Sequence, residues 1–220
     1  MEQLKALFAD WAGEECTECF ALGANGSNRH YYRMIGAKHR CIGAVATDIR
    51  ENEAFFSFSR HFFAKGMPVP ELFAVSSDRM HYLQEDLGDQ TLYGLLHDKR
   101  CKGGGFDTEM LGLYQQALAD LAAIQLAGAD LEFSMAYPRA AFDRQSIFWD
   151  LNYFKYFYLK LTATPFDEQL LEDDFGRLAA FLLEADSNYF LYRDFQGRNI
   201  MVKEDRLYYI DYQGGRRGAS

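Results

Sequence analysis

Tyr192-Arg193-Asp194-Phe195-Gln196-Gly197-Arg198-Asn199, followed by Ile210-Asp211-Tyr212, is the stretch that decides the reading of this chain. Between its two parts lie two short apolar runs, Asn199 to Lys203 and Leu207 to Asp211, on either side of Glu204-Asp205-Arg206. That pattern predicts a hairpin. A hairpin folds its ends back on each other, so Asn199 and Asp211 meet although they are twelve residues apart. An amide oxygen and a carboxylate are hard ligands of the kind Mg²⁺ prefers. Asp194, on the loop just ahead, is placed to accept or orient the proton of an acceptor hydroxyl. Phosphoryl transfer asks for little more than an in-line hydroxyl and metal-neutralised phosphates. The expectation is therefore Asp194 as catalytic base, Asn199 and Asp211 as metal ligands, and ATP with Mg²⁺ as cofactors. Asp and Asn also cap ordinary turns, but turn chemistry does not account for the joint spacing.

Working outward, the region before this stretch is helical. Helices are predicted over Thr91 to Lys99, Thr108 to Ala127, Phe142 to Leu161 and Asp167 to Ala185. In the third, Ile147, Leu151, Phe154, Tyr158 and Leu161 form a stripe read as core. The first 85 residues read differently. A short amphipathic helix opens the chain, and strand-like runs follow at Cys16 to Leu22, Arg29 to Ile35, Arg40 to Thr47, Glu71 to Val75 and His81 to Gln84. One helix, Ile49 to Lys65, interrupts them, with Phe55, Phe58 and Phe62 on one side and Gly66 and Pro68 as a stop. The character changes at Glu85-Asp86-Leu87-Gly88. The fold class is α+β in two lobes, residues 1–86 and 87–220, with a hinge near residues 84–89.

Composition narrows the function. Of 220 residues 49% are hydrophobic, enough for a substantial core, and the net charge is −9. An acidic chain without a basic face is a poor nucleic-acid binder, and an anionic membrane surface is equally disfavoured as a partner. No apolar run approaches the length of a membrane span. Cys16, Cys19, Cys41 and Cys101 complete no zinc motif, and they read as free thiols of a cytoplasmic protein.

The catalytic stretch resembles the loop and metal-binding aspartate of the protein-kinase-like superfamily, in its aminoglycoside/choline phosphotransferase branch. The order of Gly23-Ala-Asn-Gly-Ser-Asn-Arg-His-Tyr-Tyr-Arg33, Glu85-Asp86-Leu87-Gly88, Phe142-Asp143-Arg144 and the stretch 192–199 is similar to that of bacterial anomeric N-acetylmuramate and N-acetylglucosamine kinases. The resemblance implies ATP-dependent phosphorylation of a sugar in cell-wall recycling, with a pathway link to a nucleotidyltransferase. It implies a nucleotide-covering turn at Gly23, Gly26 and Ser27, although Asn-Gly alone is a common hairpin turn. It makes Glu85 and Leu87 a hinge whose backbone meets an adenine edge. Asp143, Arg144 and Arg198 are the candidates for holding the acceptor, although an N-terminal Asp is also a good helix cap.

Three departures from the family stand out. Tyr192 replaces the usual His of the catalytic loop. The third strand, Arg40-Cys-Ile-Gly-Ala-Val-Ala-Thr47, lacks a lysine for the phosphates. Some cation must replace it; Arg29 and Arg33 are the candidates, with Glu53 to orient one of them. Only nine residues follow Asp211, whereas relatives continue with several helices. An incomplete C-terminal lobe with apolar surface exposed behind helix 108–127 is therefore expected. The residues leave other readings open: an aminoglycoside, choline or homoserine acceptor, a non-catalytic nucleotide binder, or a scaffold without a nucleotide site.

Overall fold

The computed structural model describes residues 1–23 and 29–219. Five strands, β1 (Glu18–Ala21), β2 (His30–Ile35), β3 (Arg40–Val45), β4 (Leu72–Val75) and β5 (His81–Gln84), form an antiparallel sheet in the order β1-β2-β3-β5-β4. The period-two pattern divides its residues between two faces. Met34, Cys41 and Leu83 face one way and pack on Leu4 and Phe8 of α1 (Glu2–Ala12). Trp11 closes this side by stacking on Phe73 at 4.5 Å. Gly43 is required here, because a Cβ would stand 2.6 Å from the Met34 sulfur.

The other face takes α2 (Ile49–Ala64). Asp48 caps it by accepting from the Arg50 and Glu51 amides, satisfying donors that the helix start leaves open. Phe55, Phe58 and Phe62 are all buried beneath it. Asn52 donates from its side chain to the Ala46 and Arg79 carbonyls, which locks the helix onto the sheet. Helix and sheet share one hydrophobic cluster with the second half of the chain, running from Ala44, Phe55 and Tyr82 to Ile124, Phe190, Tyr192, Tyr209 and Tyr212.

The chain leaves the sheet at Gln84 and turns through Gly88, whose φ of 84° favours glycine. Asp86 gathers the turn. Its carboxylate accepts from Arg33 at 2.7 and 3.0 Å, from Arg40 at 2.5 Å and from the Gly88 amide at 2.9 Å. Burial pushes the Asp86 carboxyl up, but the two guanidiniums and the amide outweigh it and hold it below the usual range. Asp89 takes the other side of Arg33 at 2.8 Å, and Lys203 pairs with Glu85 at 2.7 Å.

Helices follow: α3 (Leu92–Cys101), α4 (Thr108–Ala127), α5 (Arg144–Phe157) and α6 (Glu168–Leu182). The helix expected over 142–161 ends sooner, and a 3-10 turn, Leu159–Thr162, takes its last residues. Its stripe is not core: Ile147 is buried, but Phe154, Tyr158 and Leu161 are 42, 61 and 76% exposed. The aromatics stack along the helix instead, Tyr153 on Phe157 and Phe154 on Tyr158. Buried Lys155 bridges α5 to Glu168 and Glu172 of α6, each at 2.6 Å. Leu118 and Leu126 of α4 are also exposed. Two small sheets complete the fold, β7 (Ile200–Lys203) with β8 (Arg206–Tyr209), and β6 (Tyr189–Leu191) with β9 (Arg216–Gly218). The last pair is absent from the sequence reading, because three-residue strands carry no periodicity. Among the described residues no helix is long and apolar enough to cross a membrane.

The hinge ion pairs differ in burial, which sets a prediction. The Asp86 side chain is 3% exposed, so Asp86→Asn leaves Arg40 without its counter-charge and Arg33 with only the exposed Asp89, and costs about 3 kcal/mol in urea unfolding. Glu85→Gln breaks a half-exposed pair and costs less than about 1 kcal/mol. Because the folded pKa of Asp86 is depressed, its contribution is present at neutral pH and fades only as pH falls through that depressed value. Equal losses in both variants would contradict this account.

Candidate active site

Hairpin closure builds the centre. Glu204 and Asp205 both have positive φ, 52° and 58°, as a tight two-residue hairpin turn requires. The register pairs Ile200 with Tyr209, and the Ile210 amide donates to the Asn199 carbonyl at 3.0 Å. Asp211 is thereby returned to Asn199, whose side-chain amide donates to Asp211 Oδ2 at 3.2 Å and to the Asp194 carbonyl at 3.1 Å. The three expected residues converge.

Both ends of the site carry backbone strain. Arg193 and Asp211 each have φ of 67° without being glycine, a conformation that persists only where its surroundings impose it. Tyr192, in place of the family's His, is one such brace. It is buried, and its hydroxyl donates to the Ile210 carbonyl at 2.7 Å. It ties the catalytic loop to the strand that delivers Asp211. Gln213 donates to Asp211 Oδ1 at 2.7 Å. Next to it, buried Tyr212 shares a 2.7 Å hydrogen bond with Ser59 of α2.

Asp211 carries the electrostatic tension. Burial pushes its carboxyl up, Gln213 counters, and the nearby Asp194 charge pushes up again. Arg29 pulls the other way and Glu51 opposes it. Arg29 is buried at the foot of β2, 3.1 Å from the Glu51 carboxylate, with its guanidinium 5.2 Å from the Phe55 ring centre. The expectation for Glu53 is corrected here, because Glu53 pairs with Arg79 and Glu51 pairs with Arg29. Glu51 was legible: it lies one turn before Phe55 on the stripe that faces the sheet, whereas Glu53 lies off it. Arg33 is also corrected, since Asp86 and Asp89 engage its guanidinium at the hinge.

Leu87 is buried in the hinge turn. Gly23 ends the first described segment with open space beside it, and Gly26 and Ser27 lie outside the described residues. Of the acceptor candidates, Asp143 caps α5 through the Ser146 amide and pairs with Arg139. The Arg144 guanidinium lies over Phe148 and that of Arg198 over Tyr93. None of the three contacts Asp194. The loop's own partner on α5 is Asp150, which holds Arg193 at 2.8 and 2.9 Å; the two lie 43 residues apart, and no spacing signal marks that pair.

The donor set suits Mg²⁺. Asn199 spends its NH₂ group on protein acceptors, and its amide oxygen has no protein donor among the described residues. No three His, Cys, Asp or Glu side chains among those residues converge into a closed cage. Mg²⁺ typically takes one or two protein ligands and completes its shell with water and substrate phosphates.

The profile of the phosphotransferase enzyme family (APH) matches residues 21–218. The chain belongs to that family and is a small-molecule phosphotransferase. Its fold is similar to that of aminoglycoside phosphotransferase APH(4)-Ia, solved with ADP and hygromycin B, at TM-score 0.61 and 13% identity over 99% of this chain and 73% of that one. It is also similar to choline kinase LicA from Streptococcus pneumoniae, at TM-score 0.63 and 13% identity over 99% of this chain and 70% of that one. Ethanolamine kinase from Plasmodium vivax matches at TM-score 0.62 and 13% identity, over 92% of this chain and 57% of that one. No curated protein matches the sequence. The fold is the two-lobed protein-kinase-like one expected.

The raised pKa of Asp211 gives a signed prediction. Its ionised form costs stability above the ordinary carboxylate range. Asp211→Asn removes that charge, keeps the backbone conformation Asn tolerates, and should melt higher than wild type at pH 7 without metal. The gap should close as pH falls through the raised pKa. An Asp211→Asn protein that melts lower at every pH would contradict the assignment.

Proposed function

We propose that this chain binds Mg·ATP between the sheet and the catalytic loop and transfers the γ-phosphoryl group to a hydroxyl of a small molecule. The acceptor class is an amino sugar at its anomeric hydroxyl, N-acetylmuramate or N-acetylglucosamine, in the cytoplasm. The observation that carries the reading is the convergence of Asp194, Asn199 and Asp211 beside the Arg29–Glu51 pair. The sugar rests on the sequence resemblance, while the structural relatives are solved with ADP or AMP-PNP and hygromycin B, or are choline kinase.

Each residue then has a role. Asp194 accepts the proton of the attacking hydroxyl as its oxygen bonds to phosphorus; the bond to the β-phosphate oxygen breaks and ADP departs. Asn199 and Asp211 would hold the metal, which would neutralise phosphate charge. Arg29 would supply the cation that β3 lacks, with Glu51 holding its guanidinium at 3.1 Å. The hinge backbone at Glu85 and Leu87 receives the adenine edge. All four cysteines are free, which suits a reducing compartment.

Mg·ATP should raise the melting temperature of wild type, because a ligand selective for the folded state stabilises it. Asp211→Asn and Arg29→Met should lose that shift. Asp194→Asn should keep it while turnover of the accepted sugar falls about 10²- to 10⁴-fold. No shift in wild type, or full turnover by Asp194→Asn, would refute the reading.

A further inference from the structure

Arg216 is the buried charge that the chemistry above does not use. β9 pairs with β6 so that Arg216 stands opposite Leu191, two residues before Arg193 of the catalytic loop. Arg216 is 3% exposed. Its Nε donates to the Gly214 carbonyl at 3.4 Å and its Nη1 to Ser146 Oγ, near the start of α5, at 3.2 Å. Among the described residues no carboxylate lies within ion-pair distance of it, and no protein acceptor bonds Nη2.

Its neighbours do not repair this. Arg193 is matched by Asp150 and Arg139 by Asp143, so the two nearby carboxylates are already engaged. Burial, with the Arg193 charge next, pulls the Arg216 pKa below the ordinary arginine value, against a partial pull from Asp150. A desolvated guanidinium without a counter-charge is costly to fold around, and its planar fork matches a carboxylate.

The charges that surround Arg216 (Arg139, Asp143, Asp150 and Arg193) belong to α5, the segment before it and the catalytic loop. Arg29 and the hinge, which take the nucleotide in our reading, belong to the sheet side. We infer that Arg216 receives a carboxylate of the acceptor, so that the substrate is an acidic hydroxyl compound. Choline and hygromycin B, named for the structural relatives, are cations and would meet like charge here. The inference rests on the proposed phosphotransfer, of which it specifies the acceptor class.

Two arms test it. In the first, kcat and KM are measured with N-acetylmuramate and with N-acetylglucosamine, which is the same ring without the lactyl carboxylate. Wild type should favour the acidic sugar about tenfold or more, the size expected of a charge-assisted hydrogen bond. Arg216→Met should erase the preference by raising the KM for the acidic sugar. Arg216→Lys, which keeps the charge and loses the fork, should restore part of it. A merely structural arginine would change both sugars alike. Parity in wild type, or a preference that survives in Arg216→Met, overturns the inference while leaving phosphotransfer intact.

The second arm needs no turnover. With Mg·ADP present, malonate should raise the melting temperature of wild type and not that of Arg216→Met. Equal shifts in both proteins, or none in either, overturn the anion site. If neither sugar accepts phosphate, the proposed sugar kinase fails on its own, and the malonate arm still decides Arg216.

Discussion

Two carboxylates whose charges repel across one site, Asp194 and Asp211, set the terms for the rest of this molecule. Asp211 would relax by turning away from Asp194 or by taking up a proton. Several features prevent the first: the hairpin register, the Tyr192 brace to Ile210 and the Gln213 hydrogen bond. The second is opposed by Arg29. The fold therefore stores unfavourable electrostatics at one point, which a divalent cation and a triphosphate would relieve. Stability and reactivity conflict there, as is common where a site is built ahead of its ligand.

The same point joins the two halves of the chain. Tyr212 packs against Phe55 and Phe62 of α2 and bonds Ser59, so the residue after the metal ligand is anchored in the helix that carries Glu51. Arg29 completes the circuit from β2 to α2. On the opposite side, Asp86 and Lys203 fasten the hinge to the sheet and to the hairpin. A displacement of α2 would disturb the metal ligand and the phosphate cation together, since both lean on the same helix face.

Much of this was legible because it is local. The Asp194, Asn199 and Asp211 spacing, the α2 stripe and the long helix Thr108–Ala127 follow from periodicity and turn chemistry. What escaped depends on contacts between distant segments. Arg33 and Arg29 looked equivalent on one strand face, yet the first meets Asp86 and the second Glu51. The stripe on α5 had the periodicity of core but lacks cover among the described residues, because amphipathicity reports a face and not what lies against it. β9 reads as a polar tail, and only its pairing with β6 makes Arg216 a buried residue.

The chain has two tryptophans, and the fold gives one to each half. Trp11 is sandwiched on Phe73 outside the N-terminal sheet, while Trp149 is half exposed on α5 with Arg139 above its ring. Their emission should differ in wavelength and in access to quenchers. The molecule therefore carries its own pair of optical reporters: one for the integrity of the nucleotide half, the other beside the arginine-rich edge of the acceptor half.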